Sequence, residues 1–229
     1  MLIKGLLKLS LLDYAGHVGC TVFTGGCNFR CPFCHNSTLA VSPAEVPSMS
    51  EEEFFSFLKK RFGILDGVCV SGGEPTLMPD IIDFLSKIKA IGYDVKLDTN
   101  GSRPDVLREA IERGVVDYVA MDIKNCPQKY ALTVGLDNFD ITPVRESVNI
   151  LLEGKVGFEF RTTVVPNYHT EDDIRAICEW ISGAPAYFIQ PFKDSGDILG
   201  GLSETFSDAD VEKLLAAAKE TIPNSKIRG

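Results

Sequence analysis

The chain has 229 residues, 45% of them apolar, enough for a full core within the size of one α/β domain, so one globular unit over 1–229 is expected. Its formal charge of -9, from 23 Lys+Arg against 32 Asp+Glu, disfavours a nucleic-acid footprint, which needs clustered basic residues.

In chain order, the run Met1 to Leu12 is apolar but short, is interrupted by Lys4 and Lys8, and precedes no small-residue cleavage site. No stretch approaches the length of a membrane span, so no membrane partner is expected. Short β-rich runs then alternate with helix-like runs. Val18 to Phe23, Gly67 to Ser71, Asp94 to Thr99, Tyr118 to Ile123, Phe158 to Val164 and Ala186 to Gln190 read as buried parallel strands. Helices are expected at about Glu51 to Arg61, Asp80 to Ile91, Pro104 to Arg113, Pro143 to Glu153, Glu171 to Ser182 and Asp208 to Thr221. Ser50-x-x-Glu53 and Thr170-x-x-Asp173 read as capped helix starts, and Gly92, Gly114, Gly154 and Gly183 as helix ends.

Right-handed strand–helix–strand connections curl six such units into a partial (β/α)6 barrel, with its loops gathered at the C-terminal ends of the strands. Cys27 to Cys34 follow the first strand, Gly72-Gly73-Glu74 the second, Asp98-Thr99-Asn100 the third, Asp122-x-Lys124 the fourth and Gln190-Pro191-Phe192 the sixth, while Arg161 lies within the fifth. Five polar or metal-binding motifs thus converge on one rim.

Cys27-x-x-x-Cys31-x-x-Cys34 packs three soft thiolates into one loop, a spacing that wraps three corners of an iron–sulfur cubane and leaves the fourth iron open. Gly25-Gly26 lets the backbone turn beside the metal, and Phe33 offers an aromatic surface there. A zinc knuckle completed by His35 or His17 is the competing reading of the same thiols. Cys20, Cys69 and Cys178 read as small core hydrophobes and Cys126 as a loop thiol near the site. Seven cysteines so distributed do not form a secreted disulfide scaffold and fit a reducing cytoplasm.

The three-cysteine spacing followed by Gly72-Gly73-Glu74-Pro75 resembles the radical S-adenosylmethionine (SAM) superfamily across nearly the whole chain. Cys34-His35-Asn36, Asp98-Thr99-Asn100-Gly101 and Met121-Asp122-Ile123-Lys124 resemble the activating enzymes of glycyl radical enzymes, with the nearest likeness to the anaerobic ribonucleoside-triphosphate reductase activating group. The resemblance implies one [4Fe-4S] cluster on Cys27, Cys31 and Cys34, with SAM chelating its open iron. It further implies that the Gly72–Glu74 backbone holds the methionyl amino group, that Lys124 and Arg161 neutralise the SAM carboxylate, that Phe33 contacts the cofactors beside the cluster, and that Gln190 to Phe192 border the adenosine. Asp98, Thr99, Asp122 and the Ala120 carbonyl resemble a monovalent-cation site. Asp13, in Asp13-Tyr14-Ala15-Gly16, resembles a motif beside the substrate glycine, with Ala15 where that motif often carries proline.

The implied reaction is reductive cleavage of SAM, fed by a flavodoxin- or ferredoxin-like donor, and removal of a hydrogen from a glycine of a partner glycyl radical enzyme. A small-molecule radical SAM enzyme such as a 7-carboxy-7-deazaguanine synthase is the enzymatic alternative. A non-catalytic metal-binding or electron-transfer module is the other.

Overall fold

The computed structural model describes residues 1–194, 196, 198–200 and 204–228. Its strands are β1 (Ile3–Ser10), β2 (Gly19–Thr24), β3 (Gly67–Gly72), β4 (Asp94–Thr99), β5 (Tyr118–Asp122), β6 (Gly157–Val164), β7 (Tyr187–Pro191) and β8 (Lys226–Ile227), paired in that order into one sheet. From β2 onward every pairing is parallel, and β1 runs antiparallel to β2. Among the described residues nothing joins β8 back to β1, so the sheet is an unclosed, partial barrel.

The helices are α1 (Ser37–Val41), α2 (Glu51–Arg61), α3 (Ile81–Ile91), α4 (Pro104–Glu112), α5 (Tyr130–Val134), α6 (Thr142–Leu152), α7 (Glu171–Trp180) and α8 (Asp208–Lys219). Six of them match the expected helices to within two residues at each end. Two start on complete capping boxes: Ser50 Oγ accepts from Glu53 N at 3.1 Å, and Thr170 Oγ1 from Asp173 N at 3.3 Å. Gly92, Gly114, Gly154 and Gly183 all take positive φ, the conformation that ends a helix. None of the helices among the described residues is long and apolar enough to cross a membrane.

Four elements go beyond the sequence reading. The N-terminal run is strand β1, and one of its interrupting lysines is satisfied by a distant segment: Lys4 Nζ donates to Val46 O and Ser48 Oγ, both at 2.8 Å. Strand β8 is two residues long and gives no periodic signal. It is pinned by Arg228, which sits 3.5 Å over the Phe188 ring and pairs with Glu159. Helices α1 and α5 are single turns that pack beside the cysteine loop.

Strand alternation separates two environments. On β4, Val95 and Leu97 are fully buried among the apolar side chains between sheet and helices, as are Val68 and Val70 on β3 and Phe160 on β6. The other parity points into the barrel and is polar: Thr21, Lys96, Asp98, Asp122, Arg161 and Gln190. Apolar packing outside therefore holds up a charged interior.

Candidate active site

At the C-terminal rim these inward residues open into a cleft of about 380 Å³. Its wall contains Cys27, Cys31 and Cys34, Gly72, Gly73 and Glu74, Asp98 and Thr99, Asp122 and Lys124, Arg161, Gln190, Phe33 and Asp13. Two expected residues lie outside it. Ala120 is wholly buried within β5, and Phe192 is buried behind the rim, where its ring stacks on His35 at 5.2 Å between centroids and 3° between planes. Phe192 therefore borders the cleft through His35.

The cysteine loop is shaped by backbone bonds to its neighbours. Gly26 takes φ 89° and donates to Leu39 O at 2.7 Å, while Cys27 N donates to Ala40 O at 3.2 Å. Arg30 N donates to Val134 O at 2.8 Å, docking the loop on α5. The result is three thiols on one wall, with Cys31 buried and Cys27 and Cys34 half-buried. Burial pushes the Cys27 thiol up to about 11 and the Cys31 thiol up to about 12, so iron loading must displace protons from both.

Among the described residues no three His, Cys, Asp or Glu side chains converge on one point, as a mononuclear zinc requires. All three thiols line the open cleft, as a polynuclear cluster bound at three corners requires.

Next to that wall, the Gly72–Glu74 segment is locked to the loop. Gly73 N donates to Thr24 O at 3.0 Å and Glu74 N to Gly26 O at 2.8 Å. A Cβ on Gly73 would sit 2.0 Å from Gly26 O, so only glycine allows this approach. The Glu74 carboxylate turns away from the open space into protein. It accepts from Thr76 N (3.1 Å), Thr76 Oγ1 (2.5 Å), Thr99 Oγ1 (2.8 Å) and Asn100 N (2.6 Å). Asn100, part of a motif but given no role by the sequence reading, reaches the cluster wall. Its Nδ2 lies 3.8 Å from Cys27 Sγ and 3.0 Å from Asn28 Oδ1.

Below the cleft lies a charged lattice. Arg161 bridges two carboxylates, Nε to Asp122 Oδ1 at 2.9 Å and Nη1 to Asp98 Oδ2 at 3.3 Å. Lys124 Nζ pairs with Asp122 Oδ2 at 3.0 Å, and Lys96 Nζ pairs with Asp98 Oδ1. Burial raises the Asp98 carboxyl, but Arg161 and Lys96 outweigh it and hold the group at about 2. Asp13 lines the same cleft, its Oδ2 accepting from Thr21 Oγ1 at 2.5 Å.

Lys96 was missed by the sequence reading, although a lysine two residues before an inward aspartate in a buried strand signals an interior ion pair. Cys69, read as a core hydrophobe, instead faces inward with its sulfur 3.7 Å from Lys96 Nζ. Cys20 and Cys178 are in the apolar core as expected. Cys126 is buried away from the cleft, its thiol donating to Asp173 Oδ1 at 3.4 Å.

His169 was also missed. Val165 N–H donates to its Nδ1 at 3.1 Å, so the ring proton is on Nε2 and donates to Lys124 O at 2.8 Å. Its ring is 6.1 Å from that of Phe33, and it links the Lys124 backbone to the cysteine loop. Burial pushes its pKa below the ordinary 6.5. The unfolded chain therefore binds this proton first, and stability that is complete above pH 6.5 is lost as pH falls toward the lower folded value. We expect stability to fall below pH 6.5 by up to about 1.4 kcal/mol per pH unit from this group. In His169→Gln that component disappears from denaturant curves recorded at stepped pH; an unchanged slope would assign the acid sensitivity elsewhere.

The Radical SAM superfamily profile matches residues 21–181. A Methanocaldococcus jannaschii protein, whose name assigns it to the glycyl-radical enzyme activating enzymes, is 34% identical over 99% of this chain and 95% of its own length. The pyruvate formate-lyase-activating enzyme of Listeria monocytogenes is 30% identical over 72% of this chain and 69% of its own. A crystal structure of a domain of pyruvate-formate lyase-activating enzyme from Bacteroides vulgatus superposes with a TM-score of 0.59 at 18% identity, covering 72% of this chain and 99% of that one, which supports the fold. With sequence match, architecture and a three-cysteine cleft in agreement, the chain belongs to the radical SAM superfamily, as an enzyme related over nearly its full length to the glycyl-radical enzyme activating enzymes.

Proposed function

We propose that this chain activates a glycyl radical enzyme, with an anaerobic ribonucleoside-triphosphate reductase as its partner. The observation that carries the reading is one cleft walled on one side by three thiols with open space before them and on another by the Gly72–Glu74 backbone, with Lys124 and Arg161 at its base. Cys27, Cys31 and Cys34 would hold one [4Fe-4S] cluster, and the cluster with SAM would supply the 5'-deoxyadenosyl radical that takes hydrogen from the partner's glycine.

The chain's own residues do the rest. The Gly72–Gly73 backbone approaches the methionyl end without a side chain in the way. Lys124 and Arg161 present positive charge to the SAM carboxylate. Phe33 and Gln190 line the cleft where the adenosine would lie, and Phe192 backs it through its stack on His35. Asp13, held by Thr21, faces the same space from the side a substrate glycine would take. A cytoplasmic location and a flavodoxin- or ferredoxin-like donor belong to the same proposal, as does the reading of residues 1–229 as one unit.

The test is anaerobic reconstitution with iron and sulfide, followed by dithionite, SAM and the candidate reductase. We expect 5'-deoxyadenosine together with a glycyl radical signal in the partner's electron paramagnetic resonance spectrum. SAM cleavage that leaves every tested glycyl radical enzyme silent, but proceeds with a small heterocyclic substrate, would favour the small-molecule alternative. No cleavage at all would sink the reading.

A further inference from the structure

The oxygen set that resembles a monovalent-cation site does not fit a cation here, because its acceptors are already engaged. Asp98 Oδ1 is paired with Lys96, and Oδ2 takes Ser71 Oγ at 3.1 Å and Arg161 Nη1 at 3.3 Å. Asp122 Oδ1 and Oδ2 are taken by Arg161 Nε and Lys124 Nζ at 2.9 and 3.0 Å. Thr99 Oγ1 donates to Glu74 and accepts from Gly101 N at 3.1 Å. Ala120 is buried outside the cleft wall.

We propose that Lys96 and Arg161 are built-in replacements for that cation, making SAM binding by this enzyme independent of sodium and potassium. The inference rests on the SAM-binding reading above. Asp98 and Asp122 are already bracketed by three fixed cations, Lys96, Lys124 and Arg161, which occupy the place a bound cation would take. A further cation there would meet Lys96, Lys124 and Arg161 at close range and be repelled, whereas the carboxylate end of SAM would be attracted by the same groups.

Nor can Lys96 step aside. Its side chain is 3% exposed, it lies in mid-strand on β4, and its neighbours are Asp98 and the Cys69 sulfur. Arg161 is equally committed, since its planar fork spans both carboxylates at once.

The experiment uses the reconstituted holoenzyme in tetramethylammonium, sodium or potassium chloride at equal ionic strength, measuring SAM affinity by calorimetry and the thermal midpoint without SAM. We expect affinities within twofold and superimposable melting curves. A tenfold or greater gain in SAM affinity with sodium or potassium, or a midpoint raised by either above its value in tetramethylammonium, would overturn the proposal. The melting comparison needs no SAM, so it decides the cation question even if SAM fails to bind, a result that would count against the functional reading alone. Lys96→Gln, which removes one charge and frees Asp98 Oδ1, should weaken SAM binding and acquire potassium-dependent recovery of affinity and midpoint. A variant that folds but ignores potassium would also overturn it, and one too unstable to purify leaves the wild-type comparison to decide.

Discussion

Cys31→Ala should reduce 5'-deoxyadenosine formation by ~100-fold or more, because two thiolates cannot retain a three-point cluster. The loss should appear together in iron content, in the reduced-cluster paramagnetic signal and in SAM cleavage. Cys31 is buried, yet removing one sulfur from it costs only about 1 kcal/mol, so the variant remains folded and its defect can be ascribed to the cluster. Cys178→Ala is the matched control: the same atom is deleted from a fully buried site on α7 in the apolar core. It should keep both cluster and activity. If Cys31→Ala retains its iron and still cleaves SAM, or Cys178→Ala loses both, the assignment of the Cys27–Cys34 wall as the cluster site is wrong.

That control also shows which parts of the molecule were legible in the sequence. Strands β2 to β7 stood out because each is a short apolar run between helices whose ends carry local chemical signals. The capping serine and threonine and the terminal glycines act within a few residues of themselves, so no tertiary context was needed to find them. The cleft wall was legible for a related reason: in a parallel barrel, residues at strand ends share one rim whatever their separation in sequence.

What stayed hidden depends on contacts between distant segments. Strand β1 is recognisable only once Lys4 has met Val46 and Ser48 and Ile3 O has accepted from Met49 N. The orientation of Glu74 depends on Thr99 and Asn100, some 25 residues away. Lys96 reads as a surface lysine until β4 is seen with neighbours on both sides. Cys69 was assigned by its hydrophobic habit, while strand parity put it in the charged interior.

Glu74→Ala should both destabilise the protein and weaken SAM binding, and the two losses should occur together. The buried carboxylate is engaged by four donors, two of them backbone N–H groups that cannot turn away. Burial raises its pKa against the lowering effect of those bonds. Alanine leaves the donors unsatisfied in a dry pocket, a loss of about 3–5 kcal/mol by comparison with other broken buried charge networks. The loop it tethers carries Gly72 and Gly73 and, through Asn100, contacts Cys27, so SAM affinity should drop by about tenfold, or roughly 1.4 kcal/mol. Glu74→Gln keeps the volume and one acceptor. The two threonine hydroxyls can rotate to meet its amide, whereas one backbone donor remains badly placed, and the cost falls to about 1–3 kcal/mol. Thermal unfolding and SAM calorimetry on both variants should therefore rank wild type above Gln and Gln above Ala on both scales. An alanine variant that melts like wild type but binds SAM poorly would show that the Glu74 carboxylate contacts SAM directly, and the tether assigned to it here would be wrong.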